Sequence, residues 1–425
     1  MEFYERAYAS YQDETDELNH FRERFVMSDP GLIYLDGNSL GMLPGATTEK
    51  LQNVIANEWG NQLIRSWNQG WYERSKEIAG KLAPLIGARP DEVIMADSTS
   101  VNLFKLGYAA LRLQTGKKAL VSDELNFPSD IYVLQGLIDL FGNKHELRLA
   151  KSPDGIGVTI EELEHRLSDD TALLSLSHVA FKSAFMYDMK AVTQMAHNKG
   201  AMVLWDLSHA AGAVPINLNA CNADMAIGCT YKYLNGGPGS IAFLYVRKDL
   251  QERLYSPIWG WFGQNDPFSF SLDYKPAEGI QRFLAGTPPV LSLSAIEPAL
   301  DMMHEAGIER LREKSLAQSR FLLKLHNHFL ESLGFGLGSP EKDAERGSHI
   351  SLRHHEACRI CKALIDPDTG GKTVIPDFRE PDNIRLGITP LYTSYMDIYE
   401  AVIQIKMIAE QKLYNRFSLQ REKVT

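Results

Sequence analysis

Lys232 is the first side chain in this sequence whose position suggests chemistry. It lies between two tyrosines in the segment GCTYKYLNGGPGS (228–240), at the end of the apolar run MAIGC. Lysine is among the residues least often buried without a partner. An ε-amine held in a pocket can be neutral enough to act as a base, and it can bond covalently to a carbonyl compound. The following GGPGS lacks the G-K-[ST] ending of a phosphate-binding loop.

Further polar side chains follow other predicted strands at the point where each strand ends. Asp206 follows AMVLW, while Ser177 and His178 stand at the end of ALLSLS. The segment DSTSVN follows EVIMA and leads into a helix, and NFPSD follows KALVS. In open α/β sheets, ligands bind outside the carboxyl ends of the strands. We therefore expect a lysine, a carboxylate, an aromatic ring and several hydroxyl groups to surround one site.

Short apolar strands that alternate with helices must position these side chains. From about residue 53 to 245 this alternation predicts an α/β fold with a mainly parallel sheet. One predicted helix (188–200) starts at Asp188 and stops at Gly200, which are typical caps. The other helix predicted in detail covers 102–114, and the predicted strands are 92–96, 118–122, 172–177, 201–205, 225–229 and 241–246.

The pattern changes after Pro288. A long amphipathic helical segment, near 293–333 and broken near Gly307, precedes a tail of mixed α and β character. We expect a large α/β domain over 50–295, with a smaller α+β domain formed by 1–49 and 296–425.

Composition limits the class of protein and of partner. The chain has 425 residues, of which 44% are hydrophobic and 23% charged, which is typical of a globular protein. Its net charge of -10 argues against nucleic acid and anionic membranes as partners. The sequence shows no signal peptide and no apolar stretch of the ~18 residues that a membrane helix requires. With only four cysteines, a cytoplasmic protein acting on a small molecule is expected.

The segment HHEACRIC offers a C-x-x-C pair beside two histidines. No second ligand pair follows at zinc-site spacing, so a metal site is not predicted. On a helix, Cys358 and Cys361 would share an apolar face with Ala357 and Leu364, and we interpret both cysteines as packing residues.

The candidate residues together match the requirements of pyridoxal phosphate. A lysine holds the aldehyde of this cofactor, and a carboxylate keeps its pyridine nitrogen protonated. A hydroxyl-rich helix start binds a phosphate dianion, and an aromatic side chain stacks on the ring. Taken singly, Asp206 could cap the helix LSHAAG, DSTSVN could be an ordinary cap, and Lys232 could reach solvent from a strand end. Their joint occurrence in order favours a fold-type I pyridoxal-phosphate enzyme.

Nine segments carry a resemblance to a known family. They are IYLDGNSLGMLP, WGNQLIRSWNQGW, TSVNLFK, NFPSD, WDLSHAAGAVPI, CTYKYLNGGPGS, GWFG, GTPP and RLGITPLYT. In this order, over roughly residues 32 to 393, the sequence resembles kynureninases. The resemblance implies an aspartate-aminotransferase-like homodimer with active sites at the subunit interface. The implied reaction is hydrolytic Cβ–Cγ cleavage of L-kynurenine or L-3-hydroxykynurenine, which yields anthranilate or 3-hydroxyanthranilate and L-alanine.

The resemblance also implies roles for individual residues. Lys232 and Tyr231 would be catalytic, and Arg385 would hold the substrate α-carboxylate with help from Asn38 and Ser39. No metal is implied. Trp261 and Thr287 would reach the cofactor phosphate from the second subunit. The full set of implied cofactor-binding residues is Lys232, Asp206, Thr99, Ser100, Phe127, Asp130, Ser177, His209, Tyr231, Trp261 and Thr287.

Two departures from the family pattern leave alternatives open. Kynureninases usually read N-Y-[KR]-T-G where this chain has AFKSA (180–184), and Gln264 replaces the histidine after GWFG. One alternative is the same chemistry on a different 2-amino-4-oxo acid. Cysteine desulfuration would require a mobile nucleophilic cysteine, and Cys358 and Cys361 lie in a helical pattern instead. A non-catalytic binding module would be expected to lack Lys232 or Arg385, which are both present.

Overall fold

A computed structural model describes residues 2–27 and 29–420 of the chain. Its strands are β1 (Leu32–Tyr34), β2 (Val93–Met95), β3 (Ala119–Asp123), β4 (Glu146–Ala150), β5 (Thr171–Ser177), β6 (Met202–Asp206), β7 (Met225–Gly228), β8 (Phe243–Val246), β9 (Gly336–Leu337), β10 (His349–Arg353), β11 (Thr373–Ile375), β12 (Asp377–Arg379) and β13 (Asn383–Gly387).

The α-helices are interspersed among these strands along the chain. They are α1 (Arg6–Glu14), α2 (Gly45–Asn53), α3 (Arg74–Leu82), α4 (Thr99–Leu113), α5 (Pro128–Leu140), α6 (Ile160–Arg166), α7 (Met189–Asn198), α8 (Val290–Ala306), α9 (Ile308–Phe329), α10 (Ala357–Ile365) and α11 (Tyr395–Glu410). Asp188 accepts a hydrogen bond from Ala191 N and thereby caps α7, as predicted from the sequence.

The central sheet has seven strands in the order β2-β8-β7-β6-β5-β3-β4. Only β8 runs antiparallel to its neighbours, so the prediction of a mainly parallel sheet is confirmed. Successive side chains of a strand point to opposite faces. Accordingly Val203 and Trp205 enter one hydrophobic core, while Met202 and Leu204 enter another on the opposite face. Both faces are therefore covered, and all the parallel strands end at one common edge.

All six predicted strands of this sheet are present, and β4 is the strand that the sequence analysis missed. It lies at the sheet edge, and its sequence ELRLA alternates charged and apolar side chains, most of them partly exposed. A half-exposed edge strand lacks the continuous apolar run by which its neighbours were recognised.

A second sheet of four strands has the order β12-β13-β10-β9 and packs on a separate hydrophobic core. The long helical segment predicted near 293–333 consists of α8 and α9, which meet at Gly307 as expected. Gly307 has a φ of 79°, a conformation that interrupts a helix and that glycine adopts most readily.

The C-x-x-C pair lies on α10, as the helical pattern predicted. Cys361 is buried in the core beneath the four-stranded sheet, and Cys358 packs against that core. Among residues 2–27 and 29–420, no cluster of histidine, cysteine and acidic side chains is arranged to hold a metal ion. None of the helices in these ranges is both long enough and apolar enough to cross a membrane.

Candidate active site

A cavity of about 210 Å³ opens at the edge where the parallel strands end. Sequence reasoning expected this location, because ligands of open α/β sheets bind there. Nine of the residues named from the sequence line it: Thr99, Ser100, Phe127, Asp130, Ser177, Asp206, His209, Tyr231 and Lys232.

Lys232 and His209 form the contact at the centre of this cavity. Lys232 Nζ lies 2.8 Å from His209 Nε2 and 5.9 Å from the centre of the Phe127 ring. Burial, followed by the neighbouring charge of Lys232, lowers the pKa of His209 well below its usual range. A neutral imidazole beside the amine can accept a hydrogen bond from Nζ without adding charge to the cavity.

Two carboxyl groups face the same cavity from neighbouring elements. Asp206 ends β6 and accepts a hydrogen bond from Ser208 N at 2.7 Å, and Asp130 lies in the first turn of α5. Burial, followed by the charge of Asp206, raises the pKa of Asp130 well above its usual range. Asp130 Oδ2 is buried, and apart from the nearby Asp206 carboxyl no described residue offers it a hydrogen bond. A positively charged N–H group placed here would relieve the repulsion between the two carboxyl groups.

Hydroxyl groups and a helix start form the other end of the cavity. Ser98 caps α4, so Thr99 and Ser100 present backbone N–H groups and hydroxyls at the first turn. Ser100 Oγ is 3.0 Å from Ser129 Oγ, and Ser240 also lines this end. The helix start and its hydroxyl groups are typical of sites that bind phosphate.

The loop that carries Phe127 is held by buried hydrogen bonds from β3 and β5. Asn126 Nδ2 donates to Ser122 Oγ at 3.0 Å, and Ser177 Oγ donates to Asn126 Oδ1 at 2.7 Å. Phe181 packs edge-on against Phe127, with ring centres 5.2 Å apart. The Phe127 ring is thereby fixed beside Lys232, where it can stack on a planar ring. Pyridoxal phosphate fits this cavity. The amine matches its aldehyde, the paired carboxyls its pyridine nitrogen, the Phe127 ring its planar ring and the helix start its phosphate.

Arg385 lies on β13, in the four-stranded sheet, and is 1% exposed. Its Nε is 3.0 Å from Asp377 Oδ1, and one Nη is 2.8 Å from Asp377 Oδ2 and 2.9 Å from Ser39 Oγ. The other Nη donates to the carbonyl of Phe181. The two hydrogen bonds to Asp377 fix the plane of the guanidinium group. Asn38 lies beside Ser39, and both of its side-chain polar atoms are buried without a partner.

Relatives of this chain are kynureninases. The sequence is 43% identical over 419 residues to kynureninase from Pseudomonas fluorescens, which covers 97% of this chain and 98% of the relative. The chain belongs to the kynureninase family. In addition, residues 311–405 match the family model for the kynureninase C-terminal domain.

The kynureninase fold of this chain is shared with more distant structures. An apo cysteine desulfurase from Thermococcus onnurineus NA1 superposes with a TM-score of 0.77 at 18% identity, covering 89% of this chain and 95% of that chain. A C-DES mutant with glycine covalently linked to its PLP cofactor gives 0.76 at 17% identity, covering 88% and 96% respectively. The predicted fold-type I architecture is thus confirmed.

Five of the residues that the kynureninase resemblance implied do not line the cavity around Lys232 in a single chain: the cofactor-binding residues Trp261 and Thr287 and the substrate-binding residues Arg385, Asn38 and Ser39. Trp261 is 39% exposed, Thr287 is also exposed, and neither lines the cavity that contains Lys232. Gln264 does not line it either, and its side chain bonds to the backbone of Asp273, Asn265 and Lys275. The implied role of Trp261 and Thr287 requires a second chain and therefore remains a prediction.

The loop in which this chain departs from the kynureninase pattern is buried at the edge of the site. Ser183 Oγ donates to Ile156 O at 2.7 Å, and Ser351 Oγ donates to the Lys182 carbonyl. Ala184 has a φ of 64°, at the position where kynureninases usually carry glycine. This left-handed conformation costs a residue with a Cβ roughly 1–2 kcal/mol.

The substitution Ala184→Gly should therefore raise the free energy of unfolding by about 0.5–1 kcal/mol, because relief of the strain exceeds the entropy that glycine loses. Chemical denaturation, with the midpoint compared at an unchanged slope, measures this effect. Ala180→Gly is the matched control, since Ala180 lies in the same loop without a positive φ and should be destabilised instead. A lower midpoint for Ala184→Gly would contradict the strain argument.

Sequence reasoning missed several polar residues that shape the site. Asp377 fixes Arg385, Asn126 fixes the Phe127 loop, and Asp36 lies near Arg385. His349 is completely buried, and its ring centre is 5.7 Å from that of His209. Because side chains alternate along a strand, the sequence HISLR (349–353) could have placed His349 and Ser351 on one face. It could not have placed His349 near Lys232.

Asp36 should make the stability of the protein depend on pH. Burial, followed by the charge of Asp377, raises its pKa to about 7. The folded state then binds the Asp36 proton more tightly than the unfolded state does. Between about pH 4 and pH 7, stability should fall as pH rises, by at most about 1.4 kcal/mol per unit. In Asp36→Asn this contribution should vanish, as measured by denaturation at several pH values, and an unchanged slope would contradict the assignment.

Proposed function

We propose that this chain is a pyridoxal-phosphate-dependent hydrolase that cleaves the Cβ–Cγ bond of L-kynurenine. The products would be anthranilate and L-alanine, or 3-hydroxyanthranilate and L-alanine from the 3-hydroxy substrate. The observation that carries the proposal is the nearly full-length relationship to a kynureninase, at 43% identity. The cavity around Lys232 supports it, since amine, carboxyl, stacking and anion-binding groups line a single space.

The side chains that line the cavity indicate which residues would hold the cofactor. Lys232 supplies the amine for the aldehyde, and Asp206 with Asp130 supplies the negative charge for the pyridine nitrogen. Phe127 would stack on the ring, Ser177 and His209 would lie in the cofactor pocket, and the helix start at Thr99 and Ser100 would bind the phosphate. When bound, the cofactor supplies an electron sink that stabilises a carbanion at the substrate Cα.

Lys232 has the proton-transfer role in this proposal. With cofactor and substrate bound, Lys232 Nζ would remove the proton from the substrate Cα. His209 Nε2 lies 2.8 Å away and orients the amine by accepting its hydrogen bond. Because the depressed pKa of His209 keeps its ring neutral, it does not compete for the proton.

Tyr231 is the proposed proton donor for the later steps. Burial, followed by the neighbouring Cys229, raises the pKa of its phenol. The phenol therefore holds its proton at neutral pH. It would deliver this proton to the substrate Cβ after the Cβ–Cγ bond is broken. Tyr231→Phe should slow these steps, and unchanged kinetics in that variant would remove Tyr231 from the mechanism.

Arg385 is the proposed anchor for the substrate α-carboxylate, and Asn38 and Ser39 complete this end of the site. The guanidinium is held by Asp377, which leaves its orientation fixed before the substrate arrives. A planar, permanently charged donor can pair with Asp377 through two N–H groups and still direct a remaining N–H at the substrate, which an ammonium group cannot do with a fixed orientation. The carboxylate and the reacting carbon are thereby held relative to Lys232.

Product formation from two substrates tests the proposed function. The purified protein, loaded with pyridoxal phosphate, is given L-kynurenine or L-3-hydroxykynurenine, and the aromatic product and alanine are quantified. Equimolar products from at least one substrate are expected. A protein that binds the cofactor but cleaves neither compound would contradict the proposal. The alternative of a different 2-amino-4-oxo acid rests on the AFKSA loop and Gln264 and is not favoured by the relatives.

We also propose that two chains form the active enzyme. An apolar groove of about 650 Å³ shares Gly239 and Ser240 with the cofactor cavity, and its rim exposes Leu43, Ile55 and Leu291. Contiguous exposed apolar surface of this kind is typical of an interface. A second chain on this face would also use Trp261 and Thr287. Light scattering should give twice the 47.7 kDa of one chain, and a monomeric active enzyme would contradict this proposal.

The remaining proposals concern the domains and the location of the protein. We infer a large domain over 50–295 and a small domain from 1–49 and 296–425. The separate core beneath the four-stranded sheet supports this division. A cytoplasmic location agrees with four cysteines that are all free.

A further inference from the structure

His349 is a buried histidine that the proposed reaction does not use. Its side chain is fully excluded from solvent, and among residues 2–27 and 29–420 neither ring nitrogen has a partner at ordinary hydrogen-bond geometry. The backbone carbonyls of Lys182 and Phe181 nevertheless lie near enough to the ring to act on its pKa. A neutral imidazole has one donor and one acceptor. A carbonyl can accept only from the donor, so the acceptor nitrogen of His349 is left unpaired, which is unfavourable in the interior. Since buried polar groups normally have partners, His349 requires an explanation.

The strand register places His349 on the face of the small sheet that covers the cavity. In the antiparallel pair β10–β13, Ser351 lies opposite Arg385 and His349 lies opposite Gly387. Residues opposite each other share a face, and so do residues two apart on one strand. His349 and Arg385 therefore face the same side. In agreement, burial and then the charge of Arg385 lower the pKa of His349 well below its usual range.

His209 connects His349 to Lys232. Its Nε2 is 2.8 Å from Lys232 Nζ, and its Nδ1 is buried without a partner. When Nε2 accepts a hydrogen bond from the amine, Nδ1 must carry the ring hydrogen. The ring of His349 packs against His209 with centres 5.7 Å apart and planes inclined by 57°. A free nitrogen of His349 can accept the Nδ1 hydrogen through one bridging water or after a small ring rotation.

We propose that His349 is a positioning residue for Lys232. By accepting the hydrogen of His209 Nδ1, it keeps His209 Nε2 directed at the reactive amine. The inference rests on the proposed function in one respect, that Lys232 is the reactive group. The other charged and titratable groups around the Lys232–His209 pair are Asp130, Asp206, Cys229, Tyr231, Arg379 and Arg385.

Two substitutions of His349 separate positioning from packing. His349→Leu removes both ring nitrogens, whereas His349→Gln keeps a donor and an acceptor. The matched control is His326→Gln, since His326 is also buried but lies in α9 beside Phe335. For each holoenzyme, the pH midpoint of the visible cofactor band is measured, together with kcat and KM for L-kynurenine.

His349→Leu should shift the spectral midpoint by about half a pH unit and lower kcat by about tenfold, with KM almost unchanged. His349→Gln should restore most of both values, and His326→Gln should change neither. An unchanged midpoint and kcat in His349→Leu would overturn the proposal. A change in KM alone would also overturn it, because it would make His349 a substrate-binding residue.

A measurement on the unsubstituted protein needs no turnover, and it uses a variant only to assign signals. Nitrogen-15 NMR of the cofactor-free protein, with the His209 signals assigned by their loss in His209→Gln, reports the ring tautomer. We expect a hydrogen on Nδ1 and none on Nε2, and the reverse would overturn the proposal. If this tautomer is found but kynurenine is not cleaved, the proposed function fails while the positioning of His209 stands.

Discussion

Replacing Lys232 by alanine should lower the turnover of L-kynurenine by ~10⁴-fold or more, because the group that binds the cofactor and moves the Cα proton is lost. Lys232→Arg should be almost as inactive. It keeps the positive charge, but a guanidinium stays protonated and cannot act as a base at neutral pH. The pair of variants therefore separates the chemistry of the amine from its charge.

Lys248→Ala is the control for this comparison. Lys248 is half-exposed, pairs with Asp91 and lies outside the cavity, so its loss should leave kcat unchanged. Steady-state kinetics and the visible spectrum should be recorded together for all variants. An arginine variant with more than about a tenth of the parent turnover would show that the charge of residue 232 matters and its nucleophilicity does not.

Replacing Arg385 by lysine should raise KM for L-kynurenine by about 10- to 100-fold, because the charge-assisted contact that the oriented guanidinium makes to the α-carboxylate is lost. The pH midpoint of the visible cofactor band before substrate is added should change little. Asp377→Asn should act in the same direction with a smaller effect, since it removes the charge that fixes the guanidinium through its Nε and one Nη.

Arg346→Lys is the matched control for the substitution of Arg385. Arg346 is also fully buried and paired with a carboxylate, Asp343, but its other hydrogen bonds go to Pro340, Glu341 and Ser319 rather than to Ser39 and Phe181. It should change stability without changing KM. If Arg385→Lys and Arg346→Lys have equal effects on KM, Arg385 is a structural residue and the proposed carboxylate site is wrong.

The sequence predicted the cavity well because its residues follow strands in a parallel sheet. Asp206 and Ser177 end buried strands, Lys232 lies in the segment that follows β7, and such strand ends meet at one edge. The break at Gly307 and the cap at Asp188 were predictable for a similar local reason. The edge strand β4 was missed, because its exposed face carries charges that interrupt the apolar run.

Contacts between distant segments could not be predicted from one sequence. Asp377 pairs with Arg385 because β12 and β13 are antiparallel, and Ser39 joins them from a segment 346 residues away from Arg385. His349 reaches His209 only because the small sheet folds over the end of the large one. Neither hydrophobic periodicity nor a local motif indicates such a contact. The family resemblance suggested Arg385, but it did not suggest its partner Asp377.

Reductive trapping of the cofactor tests the central claim most directly. The protein is incubated with pyridoxal phosphate, reduced with borohydride and digested, and the modified lysine is located by mass spectrometry. We expect stoichiometric modification at Lys232 and, with it, loss of the capacity to cleave L-kynurenine. Modification at another lysine, or scattered modification of surface lysines with Lys232 unmodified, would contradict the assignment of this cavity as the active site.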